Sequence, residues 1–163
     1  MSPAPTHRLP APLRGLLLWL GLPLLVVGAG RALDPLTGAP SLHPLWAVPG
    51  VLAAAAGLGL ARWAQLQRAM LGSPPDPRLA AGASGGFHAD GAYRLCRHPE
   101  YVGLTLYLLG WSAASRSPSA AGLTLLLLPA WVVWVLLVEE PGLTARYGPR
   151  AAEWREETPL FPR

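Results

Sequence analysis

The sequence predicts an all-α, multi-span integral membrane protein with about four transmembrane helices, a C-terminal helical hairpin and a short cytoplasmic tail. Three observations carry that prediction. Of 163 residues, 52% are apolar and only 13% charged, too few charges to coat a water-soluble globule of this length. The charges fall mostly between long runs of Leu, Val, Ala and Trp rather than within them. The 13 basic residues, all Arg, are distributed very unevenly once those runs are laid across a bilayer. The 19 Pro and 18 Gly would suggest disorder in a polar chain, but here the intervening stretches are apolar. A single cysteine, Cys96, excludes an internal disulfide and any Cys-x-x-Cys pair.

The expected spans are residues 15–31, 43–62, 99–115 and 118–139, in one domain covering 1–163. A hydrocarbon core of roughly 30 Å asks for about 20 helical residues. The second and fourth apolar runs are long enough; the first and third are short. Arg14, Arg31, Arg97 and Arg116 relieve the shortfall, because a long cationic side chain reaches from a short helix to the headgroups. Trp19, Trp46, Trp111, Trp131 and Trp134 fall within the spans, some near their ends, where an indole suits the interface.

Four spans put both termini and the central loop on one side. Arg8, Arg14, Arg62, Arg68, Arg78, Arg94, Arg97, Arg146, Arg150, Arg155 and Arg163 then share that side, leaving only Arg31 and Arg116 for the other. By the positive-inside rule the Arg-rich side is cytoplasmic, which places the N- and C-termini in the cytoplasm and the chain in the cell (inner) membrane. A competing reading takes residues 8–29 as a cleaved signal peptide, which would split the arginines across the bilayer. Residues 114–119 allow only a tight helical hairpin between the third and fourth spans, so these run antiparallel and side by side.

At the start of the third span stands Arg97-His98-Pro99-Glu100-Tyr101-Val102-Gly103. Proline suits a first helical turn and disfavours helical geometry just before it, so His98 is expected at the N-cap with Tyr101 on its face. Unpaired backbone N–H groups and the positive end of the helix dipole lie beside them. The fourth span ends at Val138-Glu139-Glu140-Pro141, where the proline is expected to help stop the helix. The hairpin brings the two clusters to one depth. Taken singly, each residue has a plain alternative: a solvated helix end for Glu139 and Glu140, a topology-setting charge for Arg97, an N-cap for His98, an interfacial anchor for Tyr101. Together, a cation, an imidazole, a phenol and two carboxylates make an amphoteric pocket with apolar walls.

Gly91-Ala92-Tyr93-Arg94, the Arg97–Gly103 element, Glu139-Glu140 with Leu143, Tyr147-Gly148, and a tail with Trp154, Pro159 and Phe161 resemble the C-terminal half of the isoprenylcysteine carboxyl methyltransferase and phospholipid methyltransferase superfamily. The resemblance covers about residues 91–162. It implies a membrane enzyme that binds S-adenosylmethionine at the cytoplasmic end of the hairpin, with the lipid bilayer as solvent and a lipophilic or lipid-modified molecule as acceptor. Carried over by position, His98, Tyr101, Gly103, Glu139, Glu140 and Tyr93 belong to cofactor binding, and Arg94, Arg97 and Trp154 to the acceptor side. Arg97 and Glu140 are the candidates for catalysis: Arg97, or alternatively Arg94, to steer an anionic acceptor, and Glu140, or alternatively His98, as base for an amine. The related membrane oxidoreductases, and a scaffold whose charges only cap helices, are the alternatives.

Other features point elsewhere. Gly82-Ala83-Ser84-Gly85-Gly86 lacks the lysine of a phosphate loop and reads as a flexible loop or hinge. Cys96 reads as a packing residue, with a thiol activated by Arg97 as the alternative. The histidines have no metal-ligand spacing, so no metal is expected, and no basic stripe with interleaved aromatics suggests nucleic acid.

Overall fold

The computed structural model describes residues 11–70 and 91–162. Among these the architecture is helical, without strands, as the composition requires. Helix α1 runs from Ala11–Leu16 through a π-helical turn, Leu17–Gly21, into Leu22–Thr37. A 3-10 turn, Pro44–Trp46, leads into α2 (Ala47–Met70). After the 3-10 segment Gly91–Arg94 come α3 (Pro99–Ala114) and α4 (Pro118–Trp134). A second π-helical turn, Val135–Glu139, joins α4 to α5 (Glu140–Tyr147), and α6 (Pro149–Glu157) follows.

Among the described residues three helical runs are long and apolar enough to cross a membrane: Leu17–Thr37, Pro44–Gln67 and Pro118–Ala145. All three overrun the boundaries set by charge. Arg31 and Asp34 lie inside α1 rather than ending it. Pro141 does not stop the fourth run: it follows directly on the π turn, and the helix continues beyond it as α5. The expected third span, α3, has only 16 residues, about 24 Å at 1.5 Å per residue, and falls short of the other three. It is the most enclosed helix, with Gly103, Leu104, Thr105, Tyr107, Leu108, Gly110 and Ser112 buried, whereas Leu24, Leu25, Leu52, Leu126 and Leu137 stand exposed on the others, as a lipid-facing surface requires.

The expected hairpin of α3 and α4 forms, but the main partner of α3 is α2. Small residues explain this. A Cβ on Gly103 would lie 2.6 Å from the Ala61 nitrogen and one on Gly50 2.5 Å from the Ala114 nitrogen. Cβ atoms on Gly57 and Gly110 would likewise strike the backbones of Tyr107 and Ala54. In lipid, where apolar side chains gain little by leaving solvent, such backbone-to-backbone approach is the main source of helix association. Helix α1 packs on α4, with Gly30 against Ala120. At that end the polar groups close on one another: Arg31 donates to the Ser115 carbonyl (2.6 Å), Asp34 accepts from the Ser119 backbone N–H (3.0 Å), and Arg116 donates to the Leu42 carbonyl (2.8 Å).

Candidate active site

The second cluster forms at the opposite end, where α3 begins and α4 passes into α5. The inner face of α4 carries Ala120, Thr124 and the half-buried Trp131, and then Val135. A regular helix would next turn residue 138 or 139 inward. The π turn adds a residue to the repeat: Glu140 donates its N–H to the Val135 carbonyl, Val138 is left exposed, and Glu140 becomes the fully buried residue. Both acids thereby reach the start of α3.

His98 does occupy the N-cap position, but its side chain caps nothing. The buried imidazole instead stands between the carboxylates, Nδ1 3.8 Å from Glu139 and Nε2 3.7 Å from Glu140. Glu140 is engaged through both oxygens: Arg97 reaches Oε1 at 3.0 Å and Arg155 reaches Oε2 at 3.1 Å. Two guanidiniums on one desolvated carboxylate make it a positioning anchor. Glu139 differs, since its side chain retains 21% exposure against 1% for Glu140.

Arg97 is held as firmly as it holds. Its Nε donates to the Thr158 carbonyl at 2.7 Å, its Nη2 to the Arg155 carbonyl, and its backbone N–H to the Pro159 carbonyl at 2.9 Å. With these partners the guanidinium grips the C-terminal segment as well as Glu140. The segment it grips continues as Leu160-Phe161-Pro162 and forms one wall of a cavity of about 350 Å³. The other walls are α3, through His98, Tyr101, Val102, Thr105, Leu106 and Leu109, and α4, through Leu128, Trp131, Val132 and Val135. Tyr101 packs between the His98 and Trp131 rings, at centroid distances of 5.9 and 6.0 Å. The cavity is lined almost entirely by apolar groups, and His98 is the lining residue that also meets the two carboxylates.

The remaining expected residues are placed as follows. Gly103 faces α2 at the close helix crossing, not the cavity, because only a residue without a side chain fits against Gly57 and Ala61 there. Tyr93 is half-buried and Arg94 exposed in the 3-10 segment, outside the cavity lining. Trp154 is buried in α6 behind the tail, where its carbonyl accepts from the Thr158 N–H at 2.9 Å; it does not line the cavity. The Cys96 thiol is buried and pushed up from its ordinary pKa by desolvation, only partly offset by a backbone hydrogen bond from His98, so it packs rather than reacts. Gly82–Gly86 lie outside the described residues.

Three contributors escape the sequence reading. Arg155 looks there like one more topology-setting charge. Trp131 looks like an interfacial anchor. Gln67, which accepts from the Ala92 N–H at 2.8 Å and so ties the 3-10 segment to the end of α2, carries no sequence signal. Gly91 makes that tie possible, since its φ of +61° favours glycine and a Cβ would run into the Gln67 amide.

None of the curated proteins and none of the solved structures compared with the chain matches it. Residues 82–150, with His98, Tyr101, Glu139 and Glu140 inside them, match the family model for phospholipid methyltransferases, a family of the isoprenylcysteine and phospholipid methyltransferase superfamily.

Proposed function

We propose that this membrane methyltransferase uses S-adenosylmethionine to methylate a lipophilic acceptor that enters from the bilayer. The observation that carries the reading is the junction of a charged cluster with an apolar cavity at one point, His98. The donor set fits the cofactor: a partly exposed glutamate side chain for a ribose or amino group, an imidazole beside it, and a tyrosine ring for packing. When bound, the cofactor supplies an electrophilic methyl group on a positively charged sulfur.

The chain's own task is then alignment and exclusion of water. Glu139 would hold the cofactor's polar end by accepting hydrogen bonds from it. His98 is held between the two acids and borders the acceptor's side of the junction, where it can take a proton from an amine or donate a hydrogen bond to an anion. Glu140, fixed by Arg97 and Arg155, keeps α5 and the tail in register and serves His98 as a fixed neighbour. Tyr101 and Trp131 bound the apolar side, so that an acceptor's hydrocarbon lies along α3 and α4 with its reactive end at His98. The positive-inside count supports a cytoplasmic location for this end, where a soluble cofactor is supplied.

Isothermal titration of the detergent-purified chain with S-adenosylhomocysteine tests the reading. Binding is expected, and Glu139→Ala should weaken it about tenfold, the loss of one or two hydrogen bonds to a charged group. Preference for a nicotinamide nucleotide would move the protein to the oxidoreductases, and binding of neither would leave a scaffold.

A further inference from the structure

The tail segment Leu160-Phe161-Pro162 is a rim of the cavity at the end where His98 stands. Its backbone is fixed from Arg97 by the contacts to the Arg155, Thr158 and Pro159 carbonyls. Thr158 is buried and extended, and Pro159 and Pro162 restrict φ on either side of Phe161. Phe161 is 52% exposed while lining the cavity, as expected of a ring standing at an opening. The two other rings of the lining, Tyr101 and Trp131, pack on each other near the same end. Farther along, the walls are Leu106, Leu109 and Leu128. The end beside His98 is therefore bounded by the rings of Tyr101, Trp131 and Phe161 together with the stiff Val102 and Val135, and the far end by leucines. A volume of about 350 Å³ lies near the lower limit for ligand cavities.

From this geometry we infer that the tail is a gauge of acceptor cross-section: Phe161, held by the grip of Arg97 on the tail, admits a single-chain amphiphile to His98 and rejects a lipid whose two chains join close to its headgroup. The inference rests on the proposed function, because it takes the cavity to be the acceptor site. It adds a choice that the family match does not make, since the tail lies outside residues 82–150.

The test uses the full chain in mixed micelles, photolabelled in the cavity with a diazirine-bearing hexadecyl chain and mapped by peptide mass spectrometry. Competitors share one headgroup and differ in chain number: lysophosphatidylethanolamine and diacyl phosphatidylethanolamine. The one-chain lipid should compete at least about tenfold better in the unaltered protein, the discrimination that a tight apolar pocket achieves over one methylene. Phe161→Ala should lower that ratio at least about fourfold, the worth of one buried methylene, and Phe161→Trp should preserve or raise it. Equal competition by both lipids, a ratio unmoved by Phe161→Ala, or labelling that misses α3, α4 and the tail would each overturn the inference. S-adenosylhomocysteine titration of the same preparation separates the two failures, because loss of the methyltransferase reading removes that binding and leaves the competition ratio intact.

Discussion

The two seams that α3 makes with its neighbours use one helix in opposite ways. Toward α2 it offers Gly103 and Gly110, and the backbones close until a single added carbon would collide. Toward α4 it offers Tyr101, Val102, Thr105, Leu106 and Leu109, and the helices stand apart around a cavity. Small residues joined one pair, and bulky ones kept the other open. In a bilayer this division has a reason: the closed seam holds the bundle through packing, and the open one leaves the space that the proposed acceptor would occupy.

The largest expected effect falls on the closed seam. Gly110→Leu drives a side chain into the Ala54 backbone, and overpacking that cannot relax should cost about 3 kcal/mol or more, read as a lower unfolding temperature in detergent. Leu109→Ala, one residue away but on the cavity, should cost only about 1 kcal/mol, because it enlarges a space already open rather than leaving a sealed void. Equal losses would remove the distinction between the seams.

The paired acids extend the contrast. Glu140→Ala strands Arg97 and Arg155 and should lower stability by about 2 kcal/mol, less than for a fully buried pair because both guanidiniums keep some contact with solvent. Glu139→Ala should change stability by about 0.5 kcal/mol or less while weakening S-adenosylhomocysteine binding. Thermal unfolding and titration on both variants check the division; a large stability loss at Glu139 with intact binding would reverse their roles.

Much of this was legible in the sequence. Apolar runs between arginines locate the helices, and the Arg-His-Pro and Glu-Glu elements locate the charged cluster, because each depends on residues close together in the chain. What was not legible depends on contacts across it. Helix α3 is apolar on every side, so its pattern cannot say which face meets α2, and Gly103 reads as a pocket residue when it is a packing one. The π turn at Val135–Glu139 shifts the inward position by one residue, and the hydropathy of Val135-Leu136-Leu137-Val138 gives no sign of it. Arg97 finds its partners about sixty residues away at Thr158 and Arg155, where the sequence shows only a charge beside a histidine.

A smaller effect is expected where α1 meets the bundle. Pro23 lacks the N–H that would meet the Trp19 carbonyl four residues back, and the Tyr107 hydroxyl donates to that carbonyl at 2.7 Å instead. Tyr107→Phe removes the donor and keeps the ring, so the loss should be about 1 kcal/mol, with faster amide exchange confined to the π turn Leu17–Gly21. Exchange rising throughout the chain would mean that the hydroxyl supports more than this joint.

The smallest effect concerns Cys96, packed just ahead of His98. Burial raises its pKa above the ordinary 9.0, so the folded chain favours the protonated thiol more than the unfolded chain does. The stability this thiol contributes is whole below pH 9 and declines as pH climbs past that value, because ionisation then favours unfolding. Cys96→Ala should therefore lower the unfolding temperature at about pH 8, and the gap from the unaltered protein should narrow at about pH 10. Alkylation by iodoacetamide gives an independent reading: it should be slower in the folded chain than in the unfolded one, with its rise displaced to higher pH. Rapid alkylation of the folded chain near neutrality would instead make Cys96 an activated thiol beside Arg97, and would move it from the packed wall behind the site into the chemistry of the site itself.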